Sequence, residues 1–305
     1  MLPYLMRRVL HGLLVIFGVS VVVFVLIRLG GDPVLQMVPE GTTKEEIAQY
    51  RQLLGFDRPI YEQFANYILH AVQGDFGNSL RHRQPALPLL LERLPATLKL
   101  AGVAMTFALI IGIPIGILAA LKPNSLLDSA GMATALLGQS VPSFWMGLML
   151  IFVFAVGLRW LPPSGAGSWQ HLVLPGFTLG AYSTALNARL LRSSMLEVMG
   201  LDYVRTARAK GLAERLVVVR HALRNALIPV VTAFALQMGF LMSGAVITEQ
   251  VFAYPGVGRL AVQAIYARDY PVVQAFVMMI ATIVVSMNIV VDLVYGYLDP
   301  RIRYT

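Results

Sequence analysis

The chain has 305 residues, of which 57% are hydrophobic and 13% are charged, and its mean hydropathy is +0.69. This composition exceeds what the core of a soluble protein of that length requires, so it indicates a chain that lies mostly in lipid. The absence of cysteine excludes disulfides, thiol catalysis and cysteine–metal sites, and the net charge of +8 points to nucleic acid only if the cations lie away from membrane segments.

Six apolar segments are long enough to cross a bilayer core, which takes roughly 20 residues per helix. In chain order they are residues 9–29, 98–121, 130–158, 172–191, 228–252 and 272–297. The first is followed by RLGGDPV, without the small-residue cleavage site of a secretory signal, so we interpret it as an uncleaved span. The predicted fold class is an all-α membrane protein with six transmembrane helices.

Glycine and proline predict local features of two spans. GIPIG at residues 112–116 pairs two glycines that permit close helix contact, around a proline whose freed carbonyl a neighbouring helix can satisfy. Pro142 interrupts the third span, because proline removes a backbone donor and clashes with the preceding turn.

The distribution of cations predicts the orientation of the spans. With six spans, both termini lie on the same side. If that side is the cytoplasm, the short outer loops hold only Arg159, Arg259 and Arg268. The cytoplasmic segments then hold Arg7, Arg8, Lys122, Arg189, Arg192, Arg205, Arg208, Lys210, Arg215, Arg220, Arg224, Arg301 and Arg303. Cytoplasmic loops carry an excess of Lys and Arg, so both termini are predicted to be cytoplasmic.

The long segment between the first two spans, residues 31–97, is predicted to be an outer region with short helices. Thr43 and Glu46 form a capping box that begins one helix, and Gly55 ends it. Pro59 begins a second helix, whose apolar residues recur at helical spacing: Tyr61, Phe64, Tyr67, Ile68 and Val72. Such helices suit either docking of a soluble partner or a plug over the bundle, and periodicity does not separate the two.

The densest cluster of charge lies between the fourth and fifth spans, in YVRTARAKGLAERLVVVRHALRNALIPVV (residues 203–231). Apolar residues recur there every three or four positions, at Leu212, Leu216, Val219, Leu223, Leu227 and Val230. The spacing predicts a short helix at residues 202–210, a turn at Gly211 and an amphipathic helix that runs into the fifth span.

Three interpretations fit this basic stretch. It can lie on anionic lipid, where each cation contributes about 1 kcal/mol; its cations can serve orientation alone; or it can dock a partner. Small and basic residues alternate in RTARAKG, where a helix lying on lipid would carry Leu, Phe or Trp, so the pattern favours docking. Ala207, Ala209 and Gly211 would then permit close approach, while the cations fix the register.

RTARAKG followed by HALRNALIPVV resembles the cytoplasmic loop signature of ABC-importer permeases, in the variant of the dipeptide, oligopeptide, glutathione and nickel permeases. The general signature opens Glu-Ala-Ala, whereas this chain has Arg205, Thr206 and Ala207, and Pro229 comes later than the signature proline. Both departures are usual in the peptide branch. The resemblance extends through GGDPV, GDFGNSL, GIPIGILAAL, VPSFWMG, SSMLEVMGLDYVRTARAKG, VFAYPGVGRL, RDYPVVQA and VDLVYGYLDPRIRY, and SWQHLVLPGFTLG is most similar to glutathione-type and short-loop dipeptide permeases.

The resemblance implies a type I importer permease fold and the first permease subunit of an ATP-driven importer in the bacterial inner membrane. Its implied partners are a second, homologous permease, two ATPase subunits and an external solute-binding protein. The residues implied to contact an ATPase are Arg205, Thr206, Ala207, Arg208, Ala209, Lys210, Gly211 and His221. The chain lacks the Gly-x-x-x-x-Gly-Lys-Ser/Thr phosphate loop, so ATP and Mg are expected on the partner ATPases, and no cofactor or metal on this transport subunit.

The resemblance also suggests the division of the chain and the cargo. Residues 1–30 would form the N-terminal segment and first span, residues 31–97 a periplasmic region, and residues 98–305 the permease core with a coupling loop at 195–227. Di- and oligopeptides are the expected cargo, with glutathione next.

Polar residues inside the predicted spans are few. Gln139, Ser140, Gln237, Met238 and Ser243 are candidates for lining a translocation route, although hydrogen bonds between helices explain such residues equally well. Asp292 is expected to pair with a nearby cation, and Glu249 to act as a cap, a contact for the binding protein or a gate. A route without fixed charge suits a low-affinity conduit whose selectivity resides in the binding protein.

Three other functional classes fit less well. An intramembrane hydrolase needs a nucleophile beside a base at membrane depth, but the histidines fall at or beyond span ends, and Ser79 in GDFGNSL is better interpreted as a turn residue. A membrane scaffold without transport would have neither a polar route nor an ATPase partner. Binding of nucleic acid is disfavoured because the cations flank membrane spans.

Overall fold

The computed structural model describes residues 2–29, 34, 38, 41–53 and 55–298, apart from the side chains of residues 2–4, 235 and 294–298. Helices dominate this described part, in which the only β-pairing is a single bridge between Asn78 and Pro85. Contacts divide the chain into two compact units, residues 1–96 with 256–305 and residues 97–255. The division of the chain at residues 30 and 97 is a matter of membrane topology and stays a prediction.

In the first unit, helix α1 (Leu2–Leu29) packs along helix α13 (Tyr270–Leu298). Near the beginning of α1 and the end of α13, Arg8 and Asp292 form an ion pair with Nε and Oδ2 2.9 Å apart. The prediction that Asp292 pairs with a nearby cation is therefore confirmed.

Both helices predicted in the segment after α1 are present. Thr43 N donates a hydrogen bond to Oε2 of Glu46 at 2.9 Å, and Glu46 N donates to Oγ1 of Thr43 at 3.4 Å, so the capping box forms as predicted. Helix α2 (Lys44–Leu53) follows it, and Gly55 then turns the chain with a φ of +70°, which glycine adopts without strain. Helix α3 (Ile60–Val72) comes next.

The remaining core of the first unit joins the beginning of helix α4 (Ala86–Leu121) to helix α12 (Val257–Tyr266) and α13. Its buried residues are Ala86, Leu89, Leu90, Val257, Leu260, Ala264, Val272, Ala275 and Met279. The loop before α4 is fixed by the buried carboxylate of Asp269, which accepts a hydrogen bond from the Ser79 hydroxyl and another from Leu80 N at 3.1 Å. Ser79 is therefore a turn residue, as expected.

The second unit is built around helix α7 (Gln170–Met199), which has buried residues along most of its length. Glycines bring α4 against it, as the GIPIG motif predicts. A Cβ at Gly112 would lie 2.8 Å from the carbonyl oxygen of Thr184, and one at Gly116 would lie 2.7 Å from that of Ala188. Neither distance leaves room for a larger residue, so the two backbones are in direct contact.

The third predicted span is broken into two arms. Helix α5 (Leu126–Ser140) and helix α6 (Ser143–Leu150), which continues as a π-helical stretch (Ile151–Gly157), meet at 109°. Val141 is extended, as expected of a residue before proline, and Pro142 begins the second arm. The proline thus makes a corner and not a kink within one straight helix.

Four helices in the described part are long and apolar enough to cross a membrane: Leu5–Leu29, Ala86–Leu121, Ile228–Val251 and Tyr270–Leu293. The bent pair would make a fifth. Helix α7 does not meet the same criterion, since polar residues such as Ser183, Asn187 and Arg189 interrupt it. The all-α, multi-pass membrane fold is confirmed, whereas the number of six spans and the cytoplasmic placement of both termini stay predictions.

The glycine contacts provide a matched pair of substitutions on α4. Gly116→Ala places a methyl group against the Ala188 carbonyl oxygen, so we expect the melting midpoint to fall by the equivalent of the roughly 1–3 kcal/mol that overpacking costs. Gly102→Ala meets no atom within 4 Å, and the helix preference of alanine, about 1 kcal/mol over glycine, should maintain or raise the midpoint. Thermal unfolding of the purified variants in detergent compares them. Equal midpoints would contradict the close contact.

Candidate functional site

The basic stretch predicted to dock a partner folds as a compact loop between α7 and helix α11 (Ile228–Val251). Helix α8 (Asp202–Ala209) makes about two turns, and Gly211 then reverses the chain with a φ of +75°. The second helical segment consists of α9 (Glu214–Leu216), a π-helical stretch (Val217–Ala222) and α10 (Leu223–Ala226). The predicted division into helix, glycine turn and helix is confirmed.

The residues implied to contact an ATPase differ in exposure. The exposed group on α8 and the turn consists of Arg205, Thr206, Arg208, Ala209, Lys210 and Gly211, while His221 is half-buried. Ala207 is only 5% exposed and packs with Val204 and Val217, which fixes α8 against the π-helical stretch. Ala207 therefore holds the loop together, and close approach of a partner stays a prediction for the exposed Ala209 and Gly211.

The π-helical stretch changes which residues face inward. An α-helical period places Leu216 and Val219 on the buried stripe, and this prediction is wrong, since they are 40% and 55% exposed. The residues that are buried instead are Val217, Val218, Ala222 and Ala226, while Val230, which the predicted stripe includes, is buried as expected. A π-helix bonds residues five apart instead of four, so its inward face drifts away from the one that an α-helical pattern predicts.

One ion pair braces the turn at Gly211. Arg208 donates to Glu214 through Nε at 3.1 Å and through Nη2 at 2.7 Å. These hydrogen bonds lower the pKa of the Glu214 carboxyl and raise the pKa of the Arg208 guanidinium. Arg208 is thereby engaged within the loop, whereas Lys210 has no ion pair with any described residue.

Arg205 has a weaker partner. Its Nη1 lies 3.5 Å from Oδ1 of Asp202, one helical turn earlier. The two side chains are 72% and 97% exposed, so this ion pair contributes little to stability. Arg205 and Lys210 are consequently the cations of α8 and its turn that remain available to a partner.

A bidentate ion pair anchors the end of α7 from which the loop departs. Arg192 donates through Nε to Oδ1 of Asp128 at 2.5 Å and through Nη2 to Oδ2 at 2.7 Å, and Asn124 N donates to the same carboxylate at 2.9 Å. The Arg192 guanidinium, and after it the Asn124 amide, lower the pKa of the Asp128 carboxyl. From the sequence, Arg192 is predicted only to be one of the cations that orient the spans. Asp128 lies in the first turn of a helix capped by Ser125, which does not reveal a partner 64 residues away.

The residues predicted to line a translocation route lie in different settings. Gln237 is 5% exposed, and its Nε2 donates to Oδ1 of Asn187 at 2.9 Å, so it links α11 to α7. Gln139 lines a cavity of about 270 Å³ within the second unit. Met238 is half-buried, and Ser140 and Ser243 are exposed. Asn187, the partner of Gln237, was not among the predicted polar residues. The one feature of the sequence that could have indicated it is an amide side chain within a predicted span.

Glu249 is enclosed in the protein instead of lying at a surface. Its Oε1 accepts a hydrogen bond from the Thr97 hydroxyl at 2.5 Å, and its backbone oxygen accepts one from Tyr254 N at 2.8 Å. Burial, and then the Glu249 charge, raise the pKa of the Tyr254 hydroxyl. Because Glu249 is 0% exposed, direct contact with a soluble binding protein is the least suitable of its expected roles.

Two sequence motifs fall largely outside the described residues. They are GGDPV at residues 30–34 and the end of VDLVYGYLDPRIRY beyond residue 298, together with Arg301 and Arg303.

Comparison with known proteins identifies the family. Residues 112–304 match the family described as binding-protein-dependent transport system inner membrane component, and residues 1–101 match the N-terminal region of such membrane components. The chain belongs to this family. The permease is accordingly a component of an ABC importer and not an enzyme, and the resemblance read from its loop is confirmed.

Similar proteins are found both among relatives and among solved structures. The permease is 45% identical over 305 residues to the glutathione transport system permease protein GsiC of Escherichia coli (strain K12) and 44% identical to that of Salmonella typhi, with 100% of each chain covered. Its fold is similar to that of the inward-facing MetNI methionine ABC transporter, with a TM-score of 0.59 and 20% identity over 69% of this chain and 96% of that one. An amino acid ABC transporter gives a TM-score of 0.52 and 17% identity over 70% and 94%. These structures show the fold alone.

The Asp128–Arg192 pair predicts an acid-sensitive contribution to stability. The carboxyl of Asp128 has a lowered pKa in the folded protein. Its contribution to the free energy of unfolding is therefore fully present above about pH 4, the ordinary pKa of Asp, and is lost as the pH falls through the pKa of the folded state. We expect Asp128→Asn to lower the melting midpoint at about pH 7, and the difference from the unmodified protein to shrink towards about pH 3. The control, Asp202→Asn, removes a 97% exposed carboxylate and should change little at either pH. A difference that is constant with pH would contradict the assignment.

Proposed function

We propose that this chain is the first permease subunit of a binding-protein-dependent ABC importer in a bacterial inner membrane, and that its cargo is a short peptide, with glutathione foremost. The observation that carries the proposal is the 45% identity, over the full length of both chains, to permeases of glutathione transport systems. The motifs of the sequence predict di- and oligopeptides as the first cargo and glutathione as the next, and these relatives make glutathione the first cargo to test.

The loop is proposed to dock an ATPase subunit that holds ATP and Mg. It suits docking because it is already ordered: the contacts of Ala207 and the Arg208–Glu214 pair fix α8 before a partner arrives, which reduces the ordering cost of binding. Arg205 and Lys210 would meet acidic or carbonyl groups of the partner. Only Leu227 separates α10 from α11, so a displacement of α8 would be passed on to a membrane helix.

The route for the cargo is proposed to be completed by a second permease subunit. Ser140 and Ser243 are exposed in the single chain, and Gln139 lines a small cavity in the same unit. A second permease facing these residues would enclose a polar path without fixed charge. Such a path favours weak binding and leaves selectivity to the external solute-binding protein.

Reversal of the two available cations tests docking. Lys210→Glu and Arg205→Glu are each expected to reduce cargo-stimulated ATP hydrolysis by the reconstituted complex about tenfold, since a hydrogen bond to a charged group is worth roughly 1.5–3 kcal/mol. Lys122→Glu, which reverses an exposed cation on another turn, should leave the rate unchanged. An unchanged rate of ATP hydrolysis in both loop variants would contradict binding of the ATPase through Arg205 and Lys210.

Orientation of the loop is checked separately. The chain contains no cysteine, so Lys210→Cys introduces a single thiol. We expect a membrane-impermeant maleimide to label it in inside-out vesicles and not in right-side-out vesicles. The opposite result would contradict the cytoplasmic placement.

Exchange of the binding protein tests the cargo and the conduit. Proteoliposomes that contain the complete importer are expected to take up labelled glutathione, and excess dipeptide should compete with this uptake only if the binding protein accepts dipeptides. When the binding protein is replaced by one of different specificity that still docks, specificity should follow the replacement. If specificity stays with the permease, the hypothesis of a low-affinity route is wrong, but the proposed role of the chain as an importer permease is not contradicted.

A further inference from the structure

Two cavities in the first unit lie one behind the other along the same helices. The first, of about 630 Å³, is lined by residues 24–28 near the end of α1 and residues 270–274 at the beginning of α13. The second, of about 530 Å³, is lined by residues 13–20 of α1 and residues 278–283 of α13. Helix α3 contributes to both, and Phe76 forms part of the wall of each. The two cavities are therefore neighbours.

The first cavity has charged and amide side chains in its wall, as suits a membrane interface, whereas the second is apolar, as suits the membrane interior. The second cavity has no charged residue among its described lining, and Ser20 and Thr282 supply its hydroxyls. It lies beside the middle of the apolar span Leu5–Leu29. The first cavity lies at the end of that span, and its lining includes Arg28, Gln63, Asn66, His70 and Asp75. A chamber with charged and amide side chains in its wall thus adjoins an apolar one, in the order of a phospholipid's head group and acyl chain.

Arg28 is held in position for an anion. Its guanidinium carbon lies 3.4 Å from the centroid of the Phe24 ring, and its Nη2 donates to Oε1 of Gln63 at 2.6 Å. Gln63 is fixed in turn, since its Nε2 donates to the backbone oxygens of Phe56 and Arg58 at 3.2 and 2.8 Å. The planar guanidinium has more donors than these contacts use, and its fork matches the oxygens of a phosphate.

Arg28 has no ion pair with any carboxylate in the described part of the chain. Asp75 is the carboxylate among the described lining residues, and its Oδ1 accepts a hydrogen bond from Gly77 N at 2.9 Å instead. A half-buried cation without a counter-charge among the described residues favours an anionic group from outside them. Tyr67, in the same lining, has a hydroxyl without a partner among the described residues, and burial raises its pKa to about 12.

Helix α3 has the surface of a helix that lies at a membrane interface. None of its residues is buried, and Ile60, Tyr61, Leu69 and Val72 are between 60% and 82% exposed. Tyr61 was predicted on a common apolar face with Phe64 and Val72, but its side chain is 69% exposed, whereas Val72 lies at the edge of the apolar cavity. Large exposed apolar side chains on a short amphipathic helix beside a span are typical of the head-group region. This supports a head-group level for the cavity that contains Arg28.

We propose that the first unit binds one phospholipid, with its phosphate at Arg28 and an acyl chain in the apolar cavity. The phosphate diester supplies the negative charge that no described residue brings to Arg28, and the acyl chain fills a chamber lined by Leu, Ile, Phe and Met side chains. A soluble carboxylate would use the first cavity but leave the second without a role, so a lipid is favoured. The bound lipid would fasten α3 to α1 and α13. This inference does not depend on the cargo or on the ATPase partner.

Native mass spectrometry of the full-length chain, released from detergent containing palmitoyl-oleoyl phosphatidylglycerol, tests the phosphate contact. One lipid per chain should be retained, and Arg28→Gln should lower the retained fraction about tenfold at the same lipid concentration, because it removes a charge-assisted hydrogen bond. Arg28→Lys should lower it less, since it keeps the charge and loses the fork. Arg58→Gln, which removes an exposed arginine outside the cavity lining, is the control and should bind as the unmodified chain does.

A second pair of variants tests the acyl cavity without altering charge. Ala71→Phe places a ring in the apolar cavity and should displace the lipid, whereas Ala65→Phe, on the exposed side of the same helix, should not. Circular dichroism confirms that each variant is folded before lipid retention is compared. Equal retention by the Arg28→Gln and Ala71→Phe variants and their controls would overturn the proposal. So would displacement of the lipid by millimolar inorganic phosphate or acetate, which would indicate a site for soluble anions.

Discussion

The buried contact of Val204 and Ala207 with Val217 gives the basic loop its shape. The loop is rich in charge, so few of its side chains can be buried, and these three small apolar residues supply an anchor for α8. With their side chains turned inward, Arg205 and Lys210 are left facing outward. Because the following segment runs almost without a break into α11, the anchor also connects the loop to a membrane helix through continuous helical backbone.

Helix α7 is the element to which the other helices of the second unit are attached. Glycines of α4 bring a second backbone against it, Arg192 ties its last turns to Asp128 of α5, and the amide of Asn187 binds Gln237 of α11. Polar bonds between helices are thus concentrated on the long helix that is least apolar, which explains why it fails a hydropathy criterion while remaining well buried. In lipid such bonds contribute modestly, about 0.6–2 kcal/mol each, so close packing has to supply much of the remaining stability.

The features that sequence predicted are those set by local chemistry. The capping box at Thr43, the close contacts at Gly112 and Gly116 and the turn at Gly211 each follow from a residue type at a short spacing. Pro142 predicted an interruption but not an angle of 109°, which depends on what packs against both arms. The inward side of Ala207 could not be predicted, since an alanine fits equally well on either face. The Asp128–Arg192 and Gln237–Asn187 partners lie 64 and 50 residues apart, beyond the reach of any periodic pattern.

The π-helical stretch at Val217–Ala222 makes the loop sensitive to length. Loss of one residue there would let the backbone return to ordinary α-helical bonding, so the segment itself would not be strained. Every residue beyond it, however, would rotate by about 100° about the helix axis relative to α8. The transmembrane helix that follows would then present a different side to α7. Side chains on the outer surface can therefore be exchanged more freely than the count of residues between Gly211 and Pro229 can be altered.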